Sequence, residues 1–164
     1  MKISQINFKN ILGATAAASM LLMGAATFTS CGKQGCTDTE ANNFDADATE
    51  DDGNCTYDRD AFIGTYAVTE SCASGNYSYS LTISEASQNK VTVILTNLGD
   101  FQSTTLSASV NGGSLTINSQ TVDVSGTSVT FSGQGALNGS TLTINYGATV
   151  NGTTDNCTAT CLKQ

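Results

Sequence analysis

The sequence predicts an all-β fold, an antiparallel meander of eight to nine short strands over residues 61–164. Three observations lead there. From Phe62 onward apolar and hydroxyl residues alternate with period two, so each segment has one dry face and one wet face. Glycine-containing turn pairs separate the segments. No stretch of this half of the chain needs a helix to explain its pattern.

The first strand, Phe62 to Cys72, places Tyr66, Val68, Glu70 and Cys72 on one side. In Tyr77–Ser84 the odd positions Tyr77, Tyr79, Leu81 and Ile83 are apolar, and the even ones are all Ser or Thr. The alternation returns in Val91–Thr96, Leu106–Val110, Leu115–Ile117, Val122–Val124, Val129–Phe131, Leu142–Tyr146 and Cys157–Cys161. Between these runs stand Ser74-Gly75, Asn111-Gly112-Gly113, Ser125-Gly126, Asn138-Gly139 and Asn151-Gly152. Asn-Gly supplies the positive φ of a tight hairpin, so consecutive strands pair as neighbours. Such a sheet closes on itself or folds into two layers, because an open edge recruits other chains. The near-repeats Ser80–Ile83, Ser114–Ile117 and Thr141–Ile144 are unequally spaced and reflect shared strand chemistry, not a solenoid.

The cysteines bear on closure. Cys72 ends the first strand and Cys157 lies early in the last, so the two meet if those strands are antiparallel neighbours, and a sheet whose first and last strands touch is a barrel. Cys161 is four residues beyond Cys157 on the same face, about 13 Å along a regular strand, too far to bond to it. Of the cysteines after Cys31 it is the odd one, buried or open to a partner.

Composition excludes several function classes. There is no His, hence neither the commonest general base nor the commonest metal ligand. Beyond Cys31 the cations are Lys33, Arg59, Lys90 and Lys163, too few to neutralise a nucleic-acid backbone. A serine nucleophile lacks a base, and nothing in the spacing joins Glu70 to Glu85 or Asp100 as a glycosidase pair. A non-enzymatic protein is expected. Nine of the fourteen acids (Asp38, Glu40, Asp45, Asp47, Glu50, Asp51, Asp52, Asp58 and Asp60) fall in one block, which sets a boundary near residue 60.

That block, with Phe44 and Tyr57 as its large apolar groups, is too polar to bury a core. A Cys36–Cys55 disulfide would close a loop of about twenty residues and stabilise it by about 3 kcal/mol through the unfolded chain. Cys36-Thr37-Asp38, Asn43-Phe44 and Asp51-Asp52-Gly53-Asn54-Cys55 resemble a short acidic repeat of bacterial surface and secreted proteins. Two readings stand for its carboxylates. Asp45, Asp47, Asp51 and Asp52 crowd together as calcium ligands do, although an EF-hand is excluded by the missing Gly and Glu. Alternatively the block is a solvated acidic spacer with no metal.

Ahead of it, Met1–Asn10 carries Lys2 and Lys9 and no acid, and Ile11–Phe28 is uncharged, the pattern of a secretory signal over residues 1–30. Small residues dominate the run, which argues against a spanning helix. Phe28-Thr29-Ser30-Cys31 resembles a bacterial lipobox, with Thr29 and Cys31 in its pattern and Phe28 and Ser30 outside it. The resemblance implies lipid attachment at Cys31 through a thioether, palmitate-type acyl chains, and a membrane tether without a protein span. Gly32 in place of Asp implies, by the same resemblance, the outer membrane of a cell envelope. Residues 31–60 are then a lipidated, disulfide-closed spacer. Processing by an ordinary signal peptidase is the competing reading.

Finally, Phe62-Ile63-Gly64-Thr65-Tyr66 resembles the start of lipocalin-like domains, with Tyr66 where they carry Trp. The resemblance implies a small barrel that takes an apolar or amphipathic ligand. The inward aromatics Tyr66, Tyr77, Tyr79, Phe131 and Tyr146, with Glu70 on the same face, would line the cup or else be plain core. An avidin-like or sandwich arrangement reads similarly. The function expected is a lipid-anchored, exported binding module; the alternative is a filled barrel with a structural or surface-interaction role.

Overall fold

The computed structural model describes residues 32–87 and 89–164; the signal expected at residues 1–30 and the acylation expected at Cys31 lie outside the described residues. Two short strands, β1 (Gln34–Gly35) and β2 (Glu50–Asp51), pair in parallel within the acidic block. The remaining strands are β3 (Gly64–Cys72), β4 (Gly75–Glu85), β5 (Thr92–Thr96), β6 (Thr105–Asn111), β7 (Ser114–Val124), β8 (Thr127–Asn138), β9 (Thr141–Val150) and β10 (Thr153–Lys163). They form a closed barrel of antiparallel neighbours in chain order, sealed where β10 pairs with β3. The expected meander is present, with eight strands.

Closure follows from the pattern of faces. Thr65, Thr69 and Ser71 of β3 and Ser78, Ser80, Thr82 and Ser84 of β4 are exposed, whereas Tyr66, Val68, Leu81 and Ile83 are buried. An apolar interior inside a hydroxyl-rich wall is the inverse of a barrel that sits in lipid. Leu95, Leu106, Leu115, Ile117, Leu142 and Ile144 complete the filling, each worth about 1.5–3 kcal/mol for its burial. The seam carries the Cys72–Cys157 disulfide, whose partners stand directly opposite in the β3–β10 ladder.

The runs Leu115–Ile117 and Val122–Val124, which alternation alone divides, belong to one strand. In β7 Ile117 faces Gly133 and Gln120 faces Phe131, so one extra residue is inserted between them. A bulge changes which parity points inward. Leu115 and Ile117 are core on odd positions, and Val122 and Val124 pack against the core on even ones. Past the bulge, β6 and β7 no longer pair, and the Gln120 side chain substitutes for the missing neighbour. Its Nε2 donates to Ser107 O at 2.8 Å, and its Oε1 accepts from the Ser107 N–H at 2.9 Å.

The hairpins are also more specific than their sequence signals. In the β7–β8 turn Ser125 and Gly126 both have positive φ, 53° and 85°, and in the β9–β10 turn Asn151 and Gly152 have 49° and 80°, the primed geometry that suits twisted strands. Asn111 and Asn138 instead close their strands, leaving Gly112 and Gly139 to open the turns.

The barrel has two different ends. At its base lie the β4–β5, β6–β7 and β8–β9 connections, and the acidic block docks there within one compact unit, Gly32–Gln164. Asp58 Oδ2 accepts from the Gly112 N–H at 2.7 Å, Lys163 Nζ donates to Ala61 O at 2.8 Å, and Arg59 Nη2 meets Glu85 Oε2 at 2.9 Å. Arg59 also donates to the carbonyls of Ala86 and Asn89, and Lys90 pairs with Asp38. Phe62, fully buried, plugs this end. The block is closed by the Cys36–Cys55 disulfide. At the opposite end, the mouth, lie the β3–β4, β7–β8 and β9–β10 turns and the eight-residue β5–β6 connection, residues 97–104.

Candidate functional site

Glu70 is the buried acid of the barrel interior, 4 % exposed on the inward face of β3. The alternation that brings Tyr66 and Val68 inward brings Glu70 with them. Tyr79 of β4 donates to Glu70 Oε2 at 2.6 Å, and Tyr146 of β9 donates to the same oxygen at 2.9 Å. Tyr79 Oη in turn accepts from the Gly99 N–H at 2.9 Å, which ties the β5–β6 connection to the cluster. Burial pushes both phenols far above their ordinary pKa. At Tyr79 the hydrogen bond to Glu70 acts in the same direction, and at Tyr146 the neighbouring charges of Tyr79 and Glu70 do, so both remain proton donors.

Cys72 Sγ lies 3.3 Å from Glu70 Oε1. That sulfur is in a disulfide and has no proton, so the contact is not a hydrogen bond. The same reasoning removes a metal reading of Glu70, Cys72 and Cys157, whose potential ligand atoms lie within 4.8 Å of one another: both sulfurs are committed to the bridge.

Two glycines make room for the cluster. Gly133 stands opposite Tyr146 in the β8–β9 ladder, and a Cβ there would come within 2.5 Å of the Tyr146 Cβ. At Gly99, with φ of 75°, a Cβ would lie 2.7 Å from both the Tyr146 hydroxyl oxygen and the Phe101 ring. Above the cluster the mouth holds a cavity of about 300 Å³. Glu70 and Tyr146 lie along it with Phe101, Val129, Ala148 and Val150, and Tyr77 and Asp155 stand beside them. Larger hollows of about 500 Å³ are open troughs on the wet face of the sheet, among Ser132, Asn145, Thr149 and Thr154.

The sequence-derived candidates thus divide. Glu70, Tyr77 and Tyr146 line the mouth, and Tyr79 braces Glu70. Tyr77 is 41 % exposed, its hydroxyl 3.1 Å from Ser74 Oγ, so it is rim and not interior. Phe131 is wholly buried beneath the cup, packed edge-on to Phe101 with ring centroids 5.4 Å apart. Tyr66 belongs to the base, where its hydroxyl donates to Phe62 O at 2.7 Å, and burial pushes its phenol up to about 12. Both are core because alternation gives the direction of a side chain but not its depth along the barrel. Phe101 was hidden in a connection without periodicity. Glu85 ends β4 at the base beside Arg59, remote in the fold from the mouth.

In the acidic block Lys33 Nζ meets Asp45 Oδ2 at 2.8 Å and Asp47 Oδ2 at 3.5 Å. The hydrogen bond from Lys33 holds the Asp45 carboxyl below its usual range. Asp51 and Asp52 accept from the Gly53 and Asn54 N–H groups, capping their own turns. Each of these carboxylates thus has a local partner on at least one oxygen. Cys161 is a free, fully buried thiol, pushed up to about 12 by burial and then by the charge of Glu70.

No protein-family model matches this chain, and no curated protein matches it.

Proposed function

We propose that this is an exported protein tethered through lipid on Cys31 to a cell envelope, where its barrel acts as a non-catalytic binding module for a small amphipathic ligand held at the mouth. The observation that carries the reading is a buried carboxyl braced by two tyrosines directly under an apolar-walled cavity of about 300 Å³. Leaving a buried carboxyl oxygen without a donor costs about 1–3 kcal/mol by mutational measures, and the two tyrosines satisfy only Oε2 of Glu70, which supports a use for Oε1 beyond bracing the barrel. The chain enters the described unit at the acidic block, on the base.

The tightly packed lower interior favours a second reading, a filled barrel that displays its walls to other surface molecules. Native mass spectrometry on protein recovered from its own host separates the two. A retained small molecule, lost on Val150→Trp, supports the cup; an identical bare mass for both supports the filled barrel. Acyl labelling that disappears with Cys31→Ala tests the tether, and labelling that persists removes it.

A further inference from the structure

Resting on the cup reading, we infer that the ligand's polar end is a protonated amine, an N–H-bearing ammonium group that docks on Glu70 Oε1. Both tyrosine hydroxyls donate to Oε2, which leaves Oε1 with the proton-free disulfide sulfur of Cys72 as its close polar neighbour among the described residues. Glu70 is 4 % exposed and lines the cavity, and its Oε1 has no protein donor among the described residues, so a donor from the ligand would satisfy it. Charge fixes the kind of donor. Among the described residues no Lys or Arg lines the cavity, and Asp155 at its rim adds a second acidic group. Tyr77, Phe101 and Tyr146 are among the residues that line the cavity, and an aromatic ring attracts a cation placed over its face. A carboxylate or phosphate ligand would meet two acidic side chains there, Glu70 and Asp155, with no cationic side chain among the described lining residues to offset them. Val129, Ala148 and Val150 then suit a short hydrocarbon body.

The inference names a chemistry and not a particular molecule: a compact alkylammonium with an apolar portion of about six carbons, within the size that 300 Å³ admits. Three six-carbon probes separate the possibilities, hexylammonium, 1-hexanol and hexanoate, titrated calorimetrically into the protein as its host produces it, held in lipid nanodiscs, with empty nanodiscs as the blank. The expected order is hexylammonium about tenfold or more tighter than hexanol, with hexanoate weakest, since each factor of ten is about 1.4 kcal/mol of preference. Glu70→Gln is expected to erase the preference while hexanol binding persists.

Hexanol and hexylammonium binding equally would overturn the ammonium inference and leave the cup standing. Tighter binding of hexanoate would overturn it as well. Saturable binding of none of the three would remove the cup itself. If Glu70→Gln does not fold, Asp155→Asn at the rim serves instead. It is expected to weaken hexylammonium and leave hexanol unchanged, and an equal change for both probes would count against the ammonium.

Discussion

The Tyr146 hydroxyl donates to Glu70 Oε2 at 2.9 Å, joining strands that are not neighbours in the sheet, since β10 lies between β9 and β3. With the Tyr79 bond at 2.6 Å it makes a polar cross-brace inside an otherwise apolar cylinder. The brace and the cavity above it are one construction, and most consequences of the fold can be tested through it.

Tyr146→Phe removes one donor and leaves the carboxyl held by Tyr79, so a loss of about 1–2 kcal/mol is expected in chemical denaturation. Tyr79→Phe should cost more, about 2–3 kcal/mol, because it also orphans the Gly99 N–H. Equal losses for the two variants would mean that the Gly99 bond contributes nothing. Gly133→Ala, which adds no polar change, should destabilise the barrel through its clash with Tyr146.

The Cys72–Cys157 bridge spans 85 residues and seals the seam, whereas Cys36–Cys55 spans 19. The chain-entropy argument gives the long loop about 4–5 kcal/mol and the short one about 3 kcal/mol. Replacing Cys72 and Cys157 together by Ser should lower the denaturation midpoint of the whole barrel. The matching change at Cys36 and Cys55 should loosen residues 32–60 in hydrogen exchange and leave barrel protection nearly intact.

Cys161 gives a pH prediction. Its thiol has an ordinary value of 9.0 and is raised to about 12 in the fold. A raised folded value means that the unfolded state loses its proton first. The stability this group contributes is therefore full below pH 9 and falls as pH rises from 9 towards 12. At pH 8.5 iodoacetamide should leave Cys161 unmodified in native protein and label it in denaturant. Rapid labelling of native protein would contradict the burial.

Lys33 already neutralises part of the charge of Asp45 and Asp47, and Asp51 and Asp52 each accept a turn N–H, so on the spacer reading millimolar calcium should leave the melting temperature unchanged. An increase that disappears with Asp45→Asn would restore calcium to the acidic block. Arg59→Ala should expose the block to proteolysis near residue 60, because that guanidinium holds Glu85 and two carbonyls at the base.

Much of this fold is legible in the sequence, for a physical reason. Period two fixes the face of each side chain, and the hydroxyl residues opposite Leu81, Ile83, Leu142 and Ile144 leave little doubt which face is wet. The cysteine positions in the first and last strands then point to the seam that Cys72 and Cys157 form. Depth along the barrel axis has no such signal, which is why Tyr66 and Tyr77, alike in sequence, fall at the base and at the rim. Nor has the bulge at Asn118-Ser119, which switches parity within β7. Gln120, a surface polar residue by composition, acts as a strand partner for Ser107 only because that bulge opens a gap. Phe101 reaches the cup through a connection whose left-handed residues Asn97, Gly99, Asp100 and Ser103 follow no period.

The most direct test is a crystal structure of the protein recovered from its own host, without added ligand. The account predicts electron density for a small molecule in the mouth, with a nitrogen within hydrogen-bonding distance of Glu70 Oε1 and its carbon body against Val129 and Val150. Phe101 folded down onto Glu70, with the mouth closed by protein atoms alone, would contradict it.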